Sequence, residues 1–233
     1  MSTPVFRFDP PPQFSKNILL AILALYVAEI ILEQWTGLPL AALLAWQPSD
    51  LFSRPWQPFT HFLYQGSSPF NTLLEILALY FFLPPAQRSY GRKGIYRIAL
   101  YVLGTVVVFG AFSLITGAVN EPVPATGIGP MVTALIVIFG LSNPFATIYL
   151  LFFPIQASWI AWGTGLFASL GFLYSRTLPS ALWLAGWIAG YLFIQSLPGG
   201  QLRRFWIKRQ HDKRNKRLNK FTVIDGGKDE TFH

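Results

Sequence analysis

The stretch VPATGIGPMVTALIVIFG, Val123–Gly140, decides how this chain reads. It opens on turn residues and runs, without a charge, into an apolar helix. Pro130 suits the first turn of that helix, where its missing N–H does no harm. The setting of such a segment follows from composition. Of 233 residues, 52% are hydrophobic and only 12% are charged, and the mean hydropathy is +0.42. Those values point to a membrane protein rather than a water-soluble one.

Working outward, six apolar segments are candidate membrane-spanning helices: near 17–33, 70–83, 95–116, 130–141, 155–174 and 180–197. The second and fourth are short, so neighbours, a kink or a thinned bilayer must accommodate them. Arg7 and Lys16 precede the first segment. Arg88, Arg92, Lys93 and Arg97 flank the second connection. The connections on the opposite side carry Arg54 and Arg176 as their only basic residues, and the one between the third and fourth segments carries only Glu121. Six spans with both termini in the cytoplasm satisfy this asymmetry. An odd number would put one basic terminus outside. The expected organisation is a cytoplasmic N-terminal segment (1–16), a membrane domain (17–198) and a basic cytoplasmic tail (199–233).

That tail holds ten Lys/Arg and four Asp/Glu between Gln201 and His233, so it carries +6 of the net +8. It directly follows an apolar segment, which favours contact with anionic lipid over nucleic acid. The first residues contain Asp9 and a Pro10-Pro11-Pro12 run with no small-residue cleavage site after them, so no signal peptide is expected. There is no cysteine, which removes disulfides and thiolate chemistry. The histidines are His61, His211 and His233. No metal centre and no cofactor are expected. The connection from Trp35 to Pro69 is long and apolar, with Trp35, Trp46 and Trp56. It reads as a structured element in the outer interface.

Several motifs then resemble the rhomboid intramembrane proteases, over about Asn17 to Leu197. Trp56-Gln57-Pro58-Phe59-Thr60-His61-Phe62-Leu63 resembles the family's Trp-(Arg/Gln)-x-x-Thr-x-x-Phe stretch. Leu79-Tyr80-Phe81-Phe82-Leu83-Pro84-Pro85 resembles its end of helix 2, with Leu83 where the family prefers glycine. There the double proline is expected to end or kink the helix. Gly186-Trp187-Ile188-Ala189-Gly190 resembles its Gly-x-x-x-Gly, whose small residues let another backbone approach. The resemblance implies an all-α, polytopic, six-transmembrane-helix rhomboid-like fold. In that fold Gly186 and Gly190, with Gly127, serve helix packing.

The same resemblance implies that the chemistry is gone. The family's Gly-x-Ser-Gly maps onto Gly127-Ile128-Gly129-Pro130, so Gly129 stands at the nucleophile position. Trp183 stands at the histidine position, and an indole N–H donates but cannot act as a base. It either fills the space beside Gly129 or faces lipid. Gln65, Asn71 and Glu75 fall at the oxyanion positions, where an ionised Glu75 would repel a developing oxyanion. Active relatives admit a substrate helix between helices 2 and 5, and Trp159, Trp162 and Phe167 are candidate lining residues.

The function implied is that of a catalytically inactive member. It binds transmembrane segments of membrane proteins without cutting them, as the derlins do, in a bacterial inner membrane. Two alternatives stand beside it. One is a protease with a non-standard nucleophile such as Thr126. The other is a transport or lipid-perturbing protein that uses the thin membrane around the short helices. Glu29 and Glu33, one turn apart on helix 1, and Glu75 in helix 2 are costly within spans. They read as members of a buried polar network or as contacts for a partner helix.

Overall fold

A computed structural model describes residues 10–47, 50, 52–66, 69–119, 123–150 and 153–197. The basic tail and Arg7 lie outside the described residues.

The first helix, α1 (Gln13–Thr36), follows the proline run and stops where Gly37 takes a left-handed conformation, φ 67°. Its 24 residues reach about 36 Å, enough to cross a hydrocarbon core of about 30 Å. Only Ser15, Tyr26 and Glu29 are buried in it. Leu20, Leu23, Val27, Ile30 and Ile31 all face outward. A soluble protein does not expose so continuous an apolar surface; against lipid it is the expected one.

After α1 come two short helices, α2 (Leu40–Leu44) and α3 (Gln57–Thr60), and a 3₁₀ turn over His61–Leu63. The Trp35–Pro69 connection is therefore a folded element. Trp46 is fully buried in it, while Trp35 is exposed. The Trp46 ring reaches the second half of the next helix, where a side-chain carbon on Gly110 would sit 2.4 Å from it.

That helix, α4 (Pro69–Ile115), corrects one expectation. Pro84 and Pro85 lie inside it, and the break comes later, at Gly91, with φ 68° and ψ −178°. The prolines remove two intrahelical hydrogen bonds but keep helical angles. Breaking the helix needs a left-handed residue, which glycine provides without steric cost. The two arms, 69–90 and 92–115, are each long enough to span a bilayer.

Next come α5 (Gly129–Ser142), an antiparallel hairpin of β1 (Thr147–Leu150) and β2 (Phe153–Gln156), then α6 (Ala157–Ser175) and α7 (Leu178–Ser196). The hairpin pairs Thr147 with Gln156 and Leu150 with Phe153. Hydropathy alone does not tell this uncharged region from a loop. Its backbone pairing gives the polar groups of an apolar segment internal partners. α5 is the centre of the bundle: it touches α4, α6 and α7, and ten of its residues are buried. Close approach to α7 is permitted by Gly186 and Gly190. Added Cβ atoms there would lie 2.3 Å from the Pro130 carbonyl oxygen and 2.7 Å from that of Ala134.

Among the described residues, α1, α4 and α7 are long and apolar enough to cross a membrane, and α5 is a shorter apolar helix. The protein is thus helical, and its long apolar helices fit a membrane. The start of α1 and the α4 elbow lie together. Arg88 donates to the Pro10 carbonyl, 3.1 Å, Arg92 sits over the Phe14 ring, and the Ser15 N–H donates to the Gln87 side chain, 3.0 Å. Tyr90 and Ser142 hydroxyls, 2.6 Å apart, bring the end of α5 to the same place.

Candidate functional site

At the opposite end of α1, Glu29 and Glu33 face the folded connection. Glu29 accepts the backbone N–H groups of Gln65 at 2.8 Å and Gly66 at 2.7 Å. Glu33 accepts the Ala41 N–H at 3.2 Å and the Tyr64 hydroxyl at 3.2 Å. Burial, and then Glu33 itself, push the Tyr64 hydroxyl pKa upward, so it stays a donor. These carboxyls satisfy loop amides within the chain.

The connection is knotted internally by side chains that bond to backbone. Gln57, fully buried, accepts from the Gln47 N–H at 3.0 Å and donates to the Ala42 carbonyl at 3.1 Å, which also receives Arg54. Thr60 donates to Leu44 at 3.1 Å. His61 is also fully buried, and desolvation lowers its pKa to about 4. The imidazole is therefore neutral near pH 7. Its Nδ1 lies 3.0 Å from the Pro58 carbonyl, which can only accept, so Nδ1 carries the proton.

This connection is tied to the segment that leads into α5. Trp46 and Ala125 exchange backbone hydrogen bonds of 3.0 and 2.9 Å, and the Gly127 N–H is shared between the carbonyls of His61, 3.0 Å, and Tyr64, 2.8 Å. Gly127 has φ 83°, so it is a turn residue. Its nearest neighbours are a residue of the connection and an acid on α4. A side-chain carbon there would meet Gln65 Oε1 and Glu75 Oε2, each at 3.3 Å.

Glu75 projects from the first arm of α4 to the start of α5 and accepts the Ile128 N–H. A carboxyl group suits a helix N-terminus, where free amides point outward. That amide is then occupied and cannot receive an oxyanion. Beside it, a Cβ on Gly129 would lie 2.8 Å from Trp183 Nε1 and 3.1 Å from Glu75 Oε1. The structure thus gathers Gly129, Trp183 and Glu75 at one point. The pyrrole edge of Trp183 abuts Gly129, and 51% of the residue is exposed.

A cavity of about 760 Å³ opens from this point between the first arm of α4, α5, α6 and the start of α7. Leu74, Ala78, Val132, Ile136 and Phe167 give it apolar walls. Asn71 and Glu75 line it, whereas Gln65 does not; Gln65 is buried behind Gly127. Of the three α6 candidates, Phe167 lines the cavity and Trp159 and Trp162 do not. Trp162 instead packs on Trp187 and Tyr191 of α7, with ring centroids 5.6 and 6.5 Å away.

Hydroxyls line the cavity, and two of them are committed to nearby backbone. Thr133 donates to the Gly129 carbonyl at 3.0 Å and Ser180 to the Thr177 carbonyl at 2.8 Å. Thr126 also lines it. Glu75 is the one acid or base among the lining residues. His61, the histidine within the described residues, is in the connection and does not line the cavity. No nucleophile–base pair of the serine–histidine type forms among these groups. Among the described residues, no three of His, Asp and Glu converge as metal ligands would.

Sequence reasoning missed the Trp46–Ala125 pairing and the enclosure of Gln57 and His61. Two polar residues inside an apolar connection were the available signal. What they bond to depends on chain reversal, which periodicity does not report. No protein-family model matches this chain, and no curated protein sequence matches it.

Proposed function

We propose that the chain is a six-span membrane protein of the rhomboid-like kind, without protease chemistry. On this reading it holds transmembrane segments of other membrane proteins in the cavity between α4 and α6, as an adaptor, regulator or chaperone. The spans are α1, the two arms of α4, α5, α6 and α7. The basic elbow at Arg88 and Arg92, beside the start of α1, supports a cytoplasmic location for that end. A bacterial inner membrane is the setting assigned, with the tail on anionic lipid.

One observation carries this reading. Gly129, Trp183 and Glu75 meet on the wall of a cavity with apolar sides, and the three supply no hydroxyl or imidazole of the serine–histidine kind. A helix is about 10 Å wide with its side chains. The walls offer it Leu, Ile, Val and Phe side chains. In the bilayer, such close packing and a few polar contacts are what drive association.

Photo-crosslinking in native membranes tests it, with p-benzoyl-phenylalanine placed at Phe167 and at Trp183. Trp162, turned to α7, is the control. Membrane proteins joined through their spanning helices at the two cavity positions, and not at the control, are the expected result. Lipid adducts alone at both would overturn the reading. They would favour the lipid-perturbing alternative, which the 14-residue length of α5, about 21 Å, supports.

A further inference from the structure

Where α1 starts and α4 turns, the two elements form one basic joint. Arg88 donates to the Pro10 carbonyl at 3.1 Å, and Gln87 accepts the Ser15 N–H at 3.0 Å. Arg92 sits 5.6 Å from the Phe14 ring centroid. That ring meets Tyr96 edge-on, with centroids 5.6 Å apart. The second arm of α4 starts after the break at Gly91, and its cations Arg92, Lys93 and Arg97 are all exposed. No Asp or Glu occurs at 10–28 or 76–119, which hold both sides of the joint. None occurs at 123–150 either, and that stretch includes the end of α5 bonded to Tyr90 through Ser142. Asp9 lies outside the described residues. Lys93 and Arg97 are one turn apart on one helix face, where like charges repel. The same face therefore favours an anion supplied from outside the chain.

The residues that follow on this face indicate which anion. Lys93, Arg97, Leu100, Gly104 and Val108 recur at steps of four, three, four and four, so they form one stripe along the arm. All five are exposed, and a side-chain carbon on Gly104 would meet nothing within 4 Å. Ile95, Ile98, Val102 and Val106 are buried, so the arm turns its other side to the bundle. The stripe is about 22 Å long, charged at one end and apolar over the rest. A free phosphate or an acidic peptide would answer its charge and leave its apolar part uncovered. An amphiphile with a phosphate head answers both. We propose that this stripe binds an anionic glycerophospholipid of the cytoplasmic leaflet. The phosphate sits between Lys93 and Arg97, and an acyl chain runs along Leu100, Gly104 and Val108. Arg97 lies about 6 Å further in than Lys93 and reaches back to the headgroup along its aliphatic stem. Tyr96, also exposed, adds an aromatic ring of the kind that prefers this level. Because the joint is already fixed through Phe14 and Pro10, binding orders little of the protein. The site is separate from the cavity, whose α4 wall comes from the first arm. It is also separate from the basic tail, which follows α7. The inference rests on the reading of the second arm of α4 as a membrane span.

The test uses the full chain in lipid nanodiscs, which expose both leaflets and so remove any effect of orientation. Phosphatidylglycerol and phosphatidylcholine of identical chains, each with a diazirine on the acyl chain, are compared as photo-reactive probes. Mass spectrometry locates the adducts on residues 92–115, with adducts on 201–233 as the internal reference. Phosphatidylglycerol should label 92–115 about tenfold more than phosphatidylcholine, the scale of two cations at a membrane surface. The ratio should fall to about 1 in the double variant Lys93→Gln/Arg97→Gln and persist in the charge-preserving pair Lys93→Arg/Arg97→Lys. Both positions are exposed, so neither pair disturbs the core. Equal labelling by the two lipids in the native chain overturns the proposal while leaving the span reading intact. A phosphatidylglycerol preference that survives the double Gln variant also overturns it. No labelling of 92–115 by either lipid removes the span reading along with it.

Discussion

Trp183 Nε1 lies 2.8 Å from the point where a side-chain carbon on Gly129 would sit. The glycine and the indole are therefore a matched pair, each shaped by the other. An L-residue at 129 must displace either the indole or the Glu75 carboxyl, whose Oε1 is 3.1 Å from the same point.

The first prediction tests that pairing. Gly129→Ala should destabilise the protein by about 1–3 kcal/mol, the usual cost of overpacking. Trp183→Ala in the same chain should return much of it, because the indole is half exposed and its removal opens the space. Thermal unfolding of the two single variants and the double variant in detergent measures the coupling. Strict additivity would show that the pair does not interact.

The second prediction concerns chemistry. Gly129→Ser with Trp183→His places a hydroxyl and an imidazole on α5 and α7, yet should cleave no transmembrane substrate. The Ile128 amide stays occupied by Glu75, and a carboxylate beside the reacting centre opposes negative charge there. Cleavage detected by gel analysis of a reconstituted substrate would refute this account of the site.

The third separates helix contacts that cannot yield from those that can. Gly186→Ala drives a methyl into the Pro130 backbone, 2.3 Å from its carbonyl oxygen, whereas Gly163→Ala meets nothing within 4 Å. The first should lower the unfolding temperature sharply or abolish folding. The second should be neutral or stabilising by up to about 1 kcal/mol, the helix preference for Ala over Gly. Equal effects would mean that α5 and α7 are not in close contact.

The fourth tests the carboxyls of α1. Glu29→Ala strands two backbone amides, of Gln65 and Gly66, at a cost of about 1–3 kcal/mol each. Protease cleavage within 37–66 should accelerate in that variant. Glu33→Ala, whose two contacts are longer at 3.2 Å, should accelerate it less.

The fifth is a pH dependence. His61 has its pKa lowered from 6.5 to about 4 by burial, so between those values the unfolded chain binds the proton and the folded chain does not. Stability therefore rises with pH in that window and is lost on acidification from about 6.5 towards 4. Above the window His61 contributes no slope. The fall in unfolding temperature between pH 7 and pH 5 should shrink in His61→Gln, and an unchanged fall would show that His61 is not the titrating group.

Much of the helical layout was legible because a bilayer leaves a chain few options. Backbone groups must pair internally, so each long apolar run becomes a helix: the run at 17–33 falls within α1, and that at 180–197 falls within α7 but for its last residue. The double proline misled, because a proline reports a missing donor and says nothing of where φ turns positive. Gly91 made that turn; its place in the basic connection set it apart from Gly104, but not from Gly94. The hairpin at 147–156 was hidden because a short apolar run has the same composition in a loop, strand or helix.

The sequence by itself determined that the chain is apolar, helical and without cysteine, and that Gly129 and Trp183 can supply neither nucleophile nor base. Those are properties of residue types, and no fold changes them. Only the tertiary structure decided that Gly129, Trp183 and Glu75 meet, and that Glu29 holds loop amides. It also decided that Phe167 faces the cavity while Trp162 turns to α7. Contacts between residues far apart in the chain depend on how helices rotate and how closely their backbones approach. That is set by packing of the whole bundle, and no local pattern encodes it.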